Sequence, residues 1–122
     1  MTYESERVVE SKAAVGVRFR VARVSFIRRM ELMREVRELA RRKEFLEGGQ
    51  SAEERMDGAL LQGEIDKLFV KWGLRAVEGL RLDGEEATLE LLAEKGPEGL
   101  FREALEAVRT EVGLTPDERK NW

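Results

Sequence analysis

A pair of long helix-forming stretches on either side of Gly48-Gly49 constrains this chain more than any other feature. From Phe26 to about Leu46 there is neither Gly nor Pro, and the hydroxyl of Ser25 can cap an orphan amide of the first turn. Phe26, Ile27, Met30, Met33, Val36, Leu39, Ala40 and Leu46 recur at three- and four-residue steps, which predicts one broad buried stripe. One of the two glycines is expected to close this helix in the left-handed conformation. Ser51-Ala52-Glu53-Glu54 is a capping box that opens a second helix reaching about Trp72. Met56, Leu60, Leu61, Ile65, Leu68, Phe69 and Trp72 are expected on its buried side. Gly58, Ala59 and Gly63 are small and are expected to let the first helix approach closely; Gly63 costs ~1 kcal/mol of helix propensity against Ala, which points to a packing need. The short connection 47–50 predicts an antiparallel helical hairpin.

The flanks read differently. Val15-Gly16-Val17-Arg18-Phe19-Arg20-Val21 alternates apolar and non-apolar residues, the period of a half-buried strand with Arg18 and Arg20 on its solvent face. Trp72-Gly73-Leu74 has the pattern of a helix stop with Gly73 left-handed. Leu80 and Leu82 alternate ahead of Asp83-Gly84, a tight-turn signal, and predict a small hairpin or connector that pairs with the Val15–Val21 strand. Thr88 is expected to cap a short helix, Leu89–Lys95. Gly96-Pro97 ends it and starts a third long helix, Pro97 to Val112, burying Leu100, Phe101, Ala104, Leu105 and Val108, with Gly113 as its cap. Thr115-Pro116-Asp117-Glu118 repeats the capping-box pattern and predicts a last helical turn. Residues 1–14 are polar and poorly periodic, so a flexible N-terminal arm is expected. The fold class is therefore a mainly α single domain over 15–122: an αα-hairpin, further C-terminal helices and a small β-hairpin or strand element.

Residue types narrow the chemistry. The 122 residues include no Cys and no His. That removes thiolate catalysis, Cys-based zinc sites, Ser-His-Asp arrangements and the commonest general base at neutral pH. Carboxylate pairs occur at Glu53/Glu54, Glu64/Asp66 and Glu85/Glu86. Acid–base work needs two carboxyl groups with environments that push their pKa values apart. These pairs sit at caps and turns instead, and only Glu64 lies among apolar neighbours. Asp83-Gly84-Glu85-Glu86 lacks the alternating oxygen ligands of a calcium loop. No glycine-rich phosphate loop occurs. No enzymatic activity, metal or cofactor is expected. No apolar run approaches the ~20 residues of a membrane span and no leader-like stretch opens the sequence, so a cytoplasmic protein without membrane contact is expected.

Charge is unevenly placed. Between Arg18 and Lys43 there are ten basic and three acidic residues, so this segment carries +7 within a chain of net charge −3. Three surfaces could meet it: nucleic acid, an acidic partner, or the acidic remainder of the same chain. For nucleic acid, Arg18 and Arg20 would continue through Arg23 into Arg28 and Arg29 as a phosphate track. Phe19 and Phe26 are better placed as core than as stacking groups, and an overall acidic chain is unusual for this role. For a protein partner, Trp122 stands out, because Trp is enriched at interface hot spots. Folding back onto the Thr115 turn is its alternative, and self-association into a homo-oligomer is open.

Longer strings carry a resemblance. Ser25-Phe26-Ile27-Arg28-Arg29, Trp72-Gly73-Leu74, Val77-Glu78-Gly79-Leu80-Arg81-Leu82-Asp83-Gly84-Glu85-Glu86-Ala87-Thr88, Gly96-Pro97-Glu98-Gly99-Leu100 and Glu118-Arg119-Lys120-Asn121 resemble small proteins of phage and prophage tail-gene clusters, most of all tail assembly chaperones. The resemblance runs from Val17 onward through caps, turns and helix starts. It implies a small helical protein that coats the tail tape-measure protein in the host cytoplasm until tube subunits replace it, through reversible and partly apolar contacts. A minor virion neck or tail component belongs to the same gene neighbourhood. The Met30/Met33/Met56 set would suit adaptable contacts, but its place in the helical stripes favours ordinary core packing.

Overall fold

The computed structural model describes residues 1–49 and 51–113. In chain order these form β1 (Glu6–Glu10), β2 (Arg18–Ala22), α1 (Phe26–Glu47), α2 (Ala52–Gly73), β3 (Leu74–Glu78), β4 (Arg81–Leu82), β5 (Glu85–Glu86), α3 (Leu89–Lys95) and α4 (Glu98–Val112). The fold is mainly α, with an αα-hairpin, two C-terminal helices and a small antiparallel β component. Two compact units can be distinguished within it. One comprises residues 1–24 and 69–113, and among the described residues the other comprises 25–68. The boundary falls inside α2.

The first unit is built on β2. Val17, Phe19 and Val21 are buried and Arg18 and Arg20 are exposed, as alternation requires. Both neighbours pair with it antiparallel, in the order β1-β2-β3. The segment expected as a flexible arm thus supplies β1, Glu6 facing Ala22 and Glu10 facing Arg18. Its two-residue alternation is masked by charged residues, and cross-strand pairing supplies what its own composition lacks. The partner on the other side is β3, Leu74–Glu78, not the Leu80–Leu82 segment. That segment folds into its own hairpin, β4 with β5, around Asp83 (φ 52°) and Gly84 (φ 82°). Two positive φ angles in succession are what a two-residue primed turn needs.

Helices α3 and α4 pack together, α4 contacts β2 and α3 contacts β3. Leu92 of α3 and Leu100, Ala104, Leu105, Ala107, Val108 and Val112 of α4 are buried, together with Phe69, Val70 and Trp72 at the end of α2. Thr88 caps α3 through Leu91 N–H at 3.1 Å. Gly113 closes α4 with φ 75°, and Pro97 stands one residue ahead of that helix. Two polar ties hold β1 and its following loop to α4. Arg7 Nε meets Glu111 Oε2 at 3.0 Å. The Ser11 hydroxyl donates to Glu103 Oε1 at 2.5 Å and the Lys12 amide donates to Oε2 at 2.7 Å. Burial raises the Glu103 pKa, but the bonds from Ser11, Lys12 and Ala13 and the Lys12 charge outweigh it and hold the carboxyl below its usual value.

Glycines depart from the expectation in informative ways. Gly73 is not left-handed: the chain passes from α2 directly into β3 there. Its lack of a side chain serves packing, because a Cβ would lie 2.6 Å from Val108 Cγ1. Gly79, at φ 78°, presses against the carbonyl of Gly16, so it needs both the conformation and the space. In the second unit α1 is capped by Ser25, whose Oγ accepts from Arg28 N–H at 3.3 Å. It ends at Gly48 with ordinary right-handed angles. Ser51 and Glu54 form the expected box at 3.0 Å. Gly58, one of the expected small positions, does border the end of α1, but at ordinary van der Waals distance: a Cβ would lie 3.5 Å from Glu47 and 3.6 Å from Leu46. Around Gly63 there is open space. The capping box at 115–118 lies outside the described residues.

Gly73→Val should therefore destabilise by about 1–3 kcal/mol through overpacking against Val108, whereas Gly63→Ala should stabilise by about 0.5–1 kcal/mol. Urea midpoints of the two variants check both signs. Because the folded Glu103 pKa is depressed, its stabilisation is present above the unfolded-state pKa and is lost as pH falls through the folded value. Glu103→Gln should lower stability at neutral pH and flatten the acid side of the stability–pH curve.

Candidate functional site

The helix α1 carries apolar residues on two opposite sides. Leu32 and Val36 are fully buried, Lys43 is buried beside Glu47, and Leu39 and Leu46 are half-buried. These positions form one row at three- and four-residue steps. The second row begins with Phe26, Ile27, Met30 and Met33, which are 78%, 64%, 45% and 41% exposed. At about 100° per residue the two rows lie on opposite sides of the helix. The expected single stripe had merged them: of its eight members only Val36 is fully buried, and Leu32 was missed. The signal for two rows was present, since apolar residues fall more than halfway round the helix.

Full burial of each such side chain is worth ~1.5–3 kcal/mol, so leaving four of them in solvent forgoes a sizeable gain. Further along the same row lies a shallow concavity lined, among the described residues, by Met30, Met33, Arg34, Arg37, Ala40, Arg41 and Glu44. Arg34, Arg37 and Arg41 form no ion pair among the described residues, while Arg28 meets Glu31 at 3.9 Å and Lys43 meets Glu47 at 2.8 Å. On α2, Met56 (67% exposed) and Leu60 (69%) also face solvent, against the expectation, while Leu61, Ile65, Phe69 and Trp72 are buried as expected.

The arginine track divides between the units. Arg18 and Arg20 lie on β2 in the first, and Arg28 and Arg29 on α1 in the second. On the sheet, Arg18 stands between Glu10 and Glu78, and Arg20 Nε meets Glu78 Oε1 at 2.8 Å. Of the two, Arg20 is ion-paired, to a carboxylate of β3, while Arg18 has glutamates as cross-strand neighbours on both sides. Tyr3 is exposed with the Arg23 guanidinium 6.0 Å from its ring centre. Trp122 lies outside the described residues.

Of the carboxylate pairs, Glu86 lines a concavity beside Glu78, Arg18 and Arg81. Glu54 belongs to the α2 cap, and Glu85 and Glu86 are exposed on β5. Glu64, expected among apolar neighbours, is exposed; Asp66 is the buried member, accepting from Gln62 Nε2 at 2.8 Å. Among the described residues no group of three or more metal-ligating side chains occurs, and no helix is long and apolar enough to cross a membrane.

The chain matches no family model, no curated protein and no solved structure. The exposed row of α1 is thus the feature on which a functional reading can stand. Since Phe26, Ile27, Met30 and Met33 lie outside the buried row, Met30→Gln with Met33→Gln should change stability by less than about 0.5 kcal/mol. The same pair should reduce binding of an apolar dye, measured beside thermal melts.

Proposed function

We propose that this protein is a non-enzymatic assembly factor that works through protein contacts, of the kind represented by phage-type tail assembly chaperones. The observation that carries the reading is the solvent-facing apolar row of α1, from Phe26 to Met33. Exposed apolar surface continuous along a helix marks a contact site rather than ordinary surface scatter. Two methionines within it suit a partner whose surface is irregular or repetitive, because the thioether chain adapts at small cost. The row also tolerates reversible binding: a few half-exposed side chains give contacts that a competing subunit can displace.

The finer assignment, to tail assembly and a tape-measure or tube protein, rests on the resemblance of the caps and turns described above. The nucleic-acid reading draws less support, because Arg18 and Arg20 face carboxylates of β1 and β3. A nuclease-treated pull-down from a prophage-induced lysate, read by mass spectrometry, tests the proposal. Recovery of a long helical tail protein or a tube subunit is expected, and the Met30→Gln/Met33→Gln variant should lose it. Recovery of no tail protein after nuclease, with nucleic acid recovered once the nuclease is left out, would overturn it.

A further inference from the structure

The outward row of α1 has a period that says what shape of partner fits it. Phe26, Met30, Met33, Arg37, Ala40 and Glu44 succeed one another at steps of four, three, four, three and four residues. That is an alternating a/d seam, the spacing by which one helix lies along another. Ile27, Arg34 and Arg41 follow the d positions by one residue and occupy a flanking position of the same seam. The seam is apolar towards Phe26, cationic at Arg34, Arg37 and Arg41, and ends on the carboxylate of Glu44. It covers 19 residues, about 28 Å of helix at 1.5 Å per residue.

We propose that this seam docks an acidic amphipathic helix of a second protein, in coiled-coil fashion, with carboxylates opposite Arg34, Arg37 and Arg41. The inference rests on the protein-contact reading above and specifies the partner's chemistry. Charge decides the occupant. The three arginines have no acidic partner among the described residues, and an arginine at a seam position is costly to desolvate without one. A second copy of this chain fits poorly where the two seams overlap along their whole length. Parallel pairing in register stacks Arg37 on Arg37, and antiparallel pairing about the middle of the seam sets Arg37 of each copy beside Arg34 of the other. Like charges across a seam disfavour both arrangements. Carboxylates on the incoming helix satisfy the cations, and its apolar stripe covers Phe26, Met30 and Met33.

The test uses the full chain and two labelled peptides of about three heptads, both with Leu at a and d. One carries Glu at e and g, the other Lys. Fluorescence anisotropy should show binding of the Glu peptide, weakening as salt rises, with the Lys peptide bound at least about tenfold more weakly. The triple variant Arg34→Glu/Arg37→Glu/Arg41→Glu should reverse that order, and Met33→Asp should weaken both peptides. Reversal is a gain of binding, so it cannot arise from misfolding. Equal affinity for the two peptides, or no binding of either, would overturn the proposal. So would concentration-dependent dimerisation of the chain that Met33→Asp abolishes, because the seam would then be occupied by a second copy. If the peptides fail while the lysate partner is still lost in the Met30→Gln/Met33→Gln variant, the protein-contact reading stands and the helical, acidic partner does not.

Discussion

Strand β2 is the element on which the first unit depends. It pairs on both sides, with β1 and with β3, and α4 covers its apolar face. Its five residues divide by side: Phe19, Val21 and Ala22 enter the core, while Arg18 and Arg20 stay in solvent. Phe19 and Val21 have no exposed surface at all. A shift of one residue in register would send the arginines inward and the apolar groups out, and that exchange fixes the pairing. The remaining contacts secure pieces that would otherwise be loose. The Glu103 carboxylate holds the loop after β1, and Gly73 lets the end of α2 approach Val108.

The hairpin unit follows another logic. Its helices are defined by local signals: Ser25 and Ser51 at the starts, and the short connection between them. What those signals leave open is how the faces are used. Helix α1 has enough apolar residues for two contact surfaces, and only one of them is buried. A helix apolar on opposite sides gains from a second partner, because solvent cannot satisfy a row of Phe, Ile and Met side chains. The arginines that continue that row bring selectivity, since cations brought to an interface call for carboxylates.

Charge asymmetry, so conspicuous in the sequence, has no single structural counterpart. The basic segment spans two strand arginines and a helix, and each part meets a different environment. On the sheet, Glu78 pairs with Arg20, and Arg18 lies between Glu10 and Glu78 in the register. On α1, Arg28 and Lys43 find glutamates one turn away. Arg34, Arg37 and Arg41 form no ion pair among the described residues and lie beside the exposed apolar row. Counting charges along the chain could not separate these cases, because cross-strand neighbours are remote in sequence.

By itself the sequence determined the local features: the α1 and α2 starts, the Asp83-Gly84 turn, the Thr88 and Gly113 caps, and the inward side of β2. Each depends on residues within a few positions of one another, through hydrogen bonds that the chain can make locally. Tertiary structure alone decided the rest. That Glu6–Glu10 is a strand depends on pairing with β2, and that β3 rather than Leu80–Leu82 is the other partner depends on where α2 ends. That Leu32 is buried while Phe26 and Met33 face solvent depends on which side of α1 other parts of the fold cover. Periodicity states how residues are spaced around an axis, whereas burial is set by what lies beside that axis, and elements far apart in the chain supply it.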